Sequence, residues 1–142
     1  MPVNPAIEQR LQSLPQLQYT VLETDVVEVL SKRIQSSLRN EQTGRNSSRQ
    51  KRVDIADADV QEVKRTLLSF DIPLEEAVLL LWPAYDTGIE TSFNGFAQNY
   101  DDLWYPSSDD IWVTNFAQAW VLEISHEEVI IFQAATTRDA AG

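Results

Sequence analysis

Two aspartate doublets, Asp101-Asp102 and Asp109-Asp110, lie close together in this chain, and its only histidine, His126, follows beside Glu127 and Glu128. Carboxylates are hard oxygen ligands, so the first chemistry to weigh is a Ca²⁺ or Mg²⁺ site. The spacing is not that of an EF-hand loop: the alternating Asp/Asn pattern, the glycine at the sixth position and the closing Glu are all missing. Adjacent residues on a helix also point to different sides, which separates Asp101 from Asp102. His126-Glu127-Glu128 lacks the second histidine of a zinc-binding HExxH helix. Ser125 is next to His126 in sequence, and strand neighbours face opposite ways, so adjacency does not make them a nucleophile and its base. The glycines are isolated and form no phosphate loop. With no cysteine in the chain, thiol catalysis, thiolate metal sites and disulfides are excluded. The expectation is a protein with no catalytic residue, no metal site and no cofactor.

What remains is recognition. Residues 1–65 carry ten Lys/Arg against nine Asp/Glu, while residues 66–142 carry one against thirteen. No cation lies between Arg65 and Arg138. Such a surface repels nucleic acid and anionic membranes and attracts basic proteins. Eleven of the thirteen aromatic residues fall between Trp82 and Phe132, among those acids. Alternation along the strands sends most of them to the core. Trp104, Tyr105 and Tyr85 stand beside turns and are the candidates for staying outside, where Trp and Tyr act as interface anchors. The expected partner-binding residues are Asp86, Glu90, Asp101, Asp102, Trp104, Tyr105, Asp109 and Asp110.

The elements that must position these residues are readable from periodicity. Ile7, Leu11 and Leu14 mark a short first helix, and Leu17–Glu23 alternates as a short strand would. Val26, Val27, Leu30, Ile34 and Leu38 recur at helical spacing behind Asp25 and Glu28, which fit a capping box. Residues 41–52 have no apolar residue and four cations, and read as a flexible basic loop. Asp59 with Glu62 offers a second capping box ahead of Val60, Val63, Leu67 and Leu68. Ala77–Trp82 is a continuous apolar run that fits a central strand buried on both faces, with a helix from Pro73 as the other reading. Ile89–Phe93 pairs with it as a hairpin. Phe96, Tyr100, Leu103 and Trp104 share one helix face. Ile111–Thr114, Trp120–Ile124 and Val129–Phe132 are the last strands.

The expected fold is α+β: one domain over 1–142, with a helical, near-neutral half (1–65) and an acidic, sheet-rich half (66–142). The sheet is largely antiparallel, of about five strands, with helices packed on one face. No signal peptide is readable at the N-terminus, and the longest apolar run, Ala77–Ala84, is too short to span a bilayer. The cytoplasm is the expected compartment.

A compact, cysteine-free, acidic α+β chain of this size resembles the immunity proteins that bacteria pair with their toxins. The segment NYDDLWYP, residues 99–106, is similar to the inhibitory helix region of barstar-type inhibitors, with Tyr100 standing where that pattern has Leu. The element order differs, and no residue role is carried over. The resemblance implies a non-enzymatic protein that neutralises a basic toxin, a nuclease among the candidates, by occluding its active site. Two other readings stand beside it: a small metal-dependent hydrolase built on Asp101, Asp102, Asp109 and Asp110, and a self-associating subunit whose partner is a second copy, as a homodimer.

Overall fold

The computed structural model describes residues 4–42, 50–106, 108–117 and 119–134, with backbone alone over 37–42. The chain runs α1 (Pro5–Gln12), β1 (Thr20–Val21), α2 (Thr24–Gln42), β2 (Gln50–Asp54), α3 (Val60–Leu68), β3 (Ala77–Trp82), β4 (Thr87–Ser92), α4 (Phe93–Leu103), β5 (Ile111–Asn115), β6 (Trp120–Ile124) and β7 (Val129–Ala134), with a 3-10 turn at Pro83–Tyr85. Among the described residues no helix is long and apolar enough to cross a membrane.

The fold is α+β, and its sheet is larger than the five strands expected. Seven strands pair antiparallel in the order β1-β4-β3-β5-β6-β7-β2. The five inner strands are those anticipated in the C-terminal half, and the near-neutral half supplies both edges. β2 is the element that the polar composition of 41–52 concealed. Lys51 opposes Phe132 and Val53 opposes Ile130, so the segment read as loop divides: residues 41–42 end α2, residues 50–52 open a strand, and 43–49 lie outside the described residues.

Alternation along β3 explains the layering. Val78, Leu80 and Trp82 enter one core with Ile7, Leu11, Val63, Leu67, Phe93, Phe96 and Leu103, which brings α1, α3 and α4 to that face. Leu79 and Leu81 point the other way and meet Val27, Leu30 and Ile34 of α2, together with Val121. The helices therefore do not share one face, as expected from sequence: α2 covers the opposite side. A strand that is apolar at every position needs cover on both sides, because each of its side chains otherwise stays in water.

Local chemistry sets the helix boundaries. Asp59 accepts from the Glu62 amide at 2.9 Å while the Glu62 carboxylate accepts from the Asp59 amide at 3.0 Å, closing the second capping box. The first box does not form. α2 starts one residue earlier, and the Asp25 carboxylate instead accepts from the adjacent Val26 amide. Ser92 caps the start of α4, its hydroxyl accepting from the Gly95 amide. Gly95 sits inside a helix, where glycine costs stability, because a Cβ there would come within 2.9 Å of the Leu17 side chain.

Many aromatics of the acidic half line the larger core. Phe70 stacks on Phe132 with centroids 4.5 Å apart, Trp120 meets Phe132 at 6.1 Å, and Phe93 meets Trp120 edge-on at 6.3 Å. Such pairs add to plain burial.

Candidate functional site

The C-terminal end of α4 and the turn that follows hold six of the eight residues expected to bind a partner. The structure treats them differently. Phe96, Tyr100 and Leu103 bury the inner face of α4 and leave Asp101 and Asp102 exposed in its last turn. The helix macrodipole is negative at this end, so two carboxylates there are unfavourable. No basic residue occupies that turn to offset them.

Trp104 and Asp109 turn inward. Trp104 is buried and donates from Nε1 to the Asp109 carbonyl at 3.0 Å. Asp109 is 1% exposed, and its Oδ2 accepts from Arg10 Nη1 at 2.6 Å and from the Tyr105 amide at 2.8 Å. A buried carboxylate needs such partners to stay charged. Both residues therefore lie beneath the surface and hold the turn in shape, leaving a partner little of them to touch. Tyr105 stays outside. It is 44% exposed, and its ring lies over the Arg10 guanidinium with Cζ 3.8 Å from the centroid.

Arg10 is the residue that sequence reasoning missed. It occupies the apolar stripe of α1 between Ile7, Leu11 and Leu14, all buried. That position is the signal: a cation at core spacing implies a buried counter-ion elsewhere in the chain. Its Nη1 also donates to the Leu103 carbonyl at 3.0 Å, which accepts in addition from Trp82 Nε1 at 2.8 Å. Tyr85 approaches the same guanidinium at 5.8 Å. Asp86 follows directly, exposed and at a positive φ of 50°. The turn that carries Asp86 thus gathers with Tyr105 around one cation.

Glu90 and Asp110 have other surroundings. Glu90 follows Ile89, which packs into the larger core, so it faces the α2 side, opposite Leu79 and Thr20 in register. Asp110 accepts from the backbone amide of His126 at 2.7 Å and meets its Nδ1 at 2.9 Å. The carboxylate raises the His126 pKa, chiefly through that side-chain hydrogen bond. Glu123 is raised by burial, against the lowering effect of the Trp112 Nε1 bond at 2.9 Å. Tyr100 is pushed up to about 12, first by burial and then by Asp101 and Asp59.

The four aspartates do not converge. Asp101 and Asp102 are on the helix exterior, Asp109 is engaged with Arg10, and Asp110 with His126. Among the described residues, no group of three or more His, Asp or Glu side chains could hold a metal ion. Among the same residues the ion pairs are Arg10–Asp109 and His126–Asp110, so Asp86, Glu90, Asp101 and Asp102 have no cation within reach. Comparison with known protein families, curated proteins and solved structures gave no match.

Proposed function

We propose that this chain is a non-enzymatic binding domain that captures a basic protein through the end of α4 and the turn beside it, and that it acts as an immunity protein. The partner would be a basic toxin domain. An acidic face suits a nuclease in particular, since it can occupy the site that otherwise receives phosphates. The observation that carries this reading is the pairing of Tyr105 with the unanswered acids around it. Tyr105 presents an aromatic ring already held over Arg10, so little side-chain freedom remains to be lost on binding. Asp101, Asp102 and Asp86 supply negative charge that steers a basic partner and speeds its capture.

The test uses the full chain as bait in an extract of its native cell, in parallel with an Asp101→Lys/Asp102→Lys variant. A basic protein retained by the first and lost by the second is the expected result. Reconstituting that pair should then suppress the captured protein's activity. Equal capture by both baits would remove the acidic helix end from the reading.

A further inference from the structure

A cavity of about 400 Å³ lies between α1 and Tyr105, lined by Ala6, Gln9, Arg10, Ser13 and Tyr105. Arg10 contributes a guanidinium whose side chain is only 6% exposed. An arginine carries five N–H donors. The two on Nη1 are used by Leu103 O and Asp109 Oδ2. Among the described residues no acceptor lies within hydrogen-bond reach of Nε–H or of either N–H of Nη2, and a buried donor without an acceptor is costly.

The unused set has a definite shape. Nε–H and one Nη2–H lie parallel along one edge of the fork, the arrangement that grips both oxygens of a carboxylate. Gln9 adds a carboxamide to the wall, the Ser13 hydroxyl is already spent on the Arg10 carbonyl at 2.6 Å, and the Tyr105 ring fixes the guanidinium plane from above. We infer that this cavity is a carboxylate-binding site, with Arg10 as its bidentate donor. The formal charge of −11 opposes anions in general. The site therefore selects a ligand with one carboxylate and little further negative charge, either a small free acid or the carboxyl end of a peptide chain. This inference stands apart from the partner-binding proposal, since it needs no basic protein.

The experiment is a titration of the ¹⁵N-labelled full chain, followed at the Arg10 side-chain Nε–H and the Ser13 amide. The probes are sodium acetate, N-acetyl-diglycine and its C-terminal amide, with sodium chloride matching ionic strength. Saturable shifts with both acids, and none with the amide or chloride, are expected. Acetate binding as well as the peptide would assign a free acid; a preference of about tenfold for N-acetyl-diglycine, equivalent to 1.4 kcal/mol, would assign a chain terminus. Ala6→Glu, on the exposed side of α1, places a tethered carboxylate at the cavity and should weaken acetate by about tenfold or more. Linear or absent shifts, equal response to the amide, or an unchanged response in Ala6→Glu would each overturn the assignment and leave a cavity for water only.

Discussion

Arg10 and Asp109 stand 99 residues apart in sequence and form a buried ion pair, Nη1 to Oδ2, at 2.6 Å. The pair ties α1 to the turn that carries Tyr105. Removing one member leaves the other charged in a site that water barely reaches. Asp109→Ala should therefore cost about 3–5 kcal/mol, while Arg10→Met/Asp109→Leu, which removes both charges, should cost much less. Urea unfolding of the three proteins measures this, and equal losses would deny the pair its role.

Tyr105 separates anchoring from stability. Its contact with Arg10 is worth about 0.5–2 kcal/mol to the fold, and as a central anchor it would be worth about 2 kcal/mol or more to a complex. Tyr105→Ala should show both losses. Tyr105→Phe keeps the ring and should show little of either. Unfolding curves and partner affinity, measured on the same samples, give the two numbers.

Asp101 and Asp102 should behave in the opposite sense in the two assays. Reversing each to Lys replaces an unfavourable charge at the α4 C-terminus with a favourable one, a gain of about 0.3–1 kcal/mol per site at low salt. Association with a basic partner should slow, and its dependence on ionic strength should flatten. A variant that is more stable and binds worse would mark these acids as selected for something other than the fold.

Much of the architecture was legible because the inner strands and the helices carry strong periodicity. Ala77–Trp82, Trp120–Ile124 and the Asp59 capping box fall where the pattern places them. β2 was hidden because Gln-Lys-Arg-Val-Asp holds a single apolar residue. An edge strand buries little, and its charges discourage pairing with a foreign strand. The position of α2 was implied by a strand apolar at every residue, since Leu79 and Leu81 need cover as much as Leu80 does. At the site, the outward position of Tyr105 followed from its place beside a turn. Trp104 packs into the core and Asp109 turns in to Arg10; the one mark of this in the sequence is a cation at core spacing in α1, which does not name a counter-ion 99 residues away.

His126 reports on Asp110. As the only histidine, it gives an unambiguous ring signal in a proton NMR titration. Its folded pKa lies above the ordinary 6.5, chiefly because Asp110 accepts its hydrogen bond. The protonated ring is thus the bound form. Any contribution to stability is fully present below the ordinary value and is lost as pH rises through the folded one. Asp110→Asn keeps an acceptor for the His126 amide and removes the charge, so the midpoint should fall. A midpoint unmoved by this change would place the cause elsewhere.

The strand order gives α2 a further job. β1 and β2 flank this helix in sequence yet sit at opposite borders of the sheet. Seven strands leave six gaps of about 4.8 Å, or about 29 Å from border to border. The nineteen residues of α2 rise about 1.5 Å each, or about 28 Å. The length of the helix is thus close to the breadth of the sheet. Deleting one turn would shorten the helix by about 5 Å, a deficit that the seven residues between Gln42 and Gln50, each reaching about 3.3 Å, are long enough to make up.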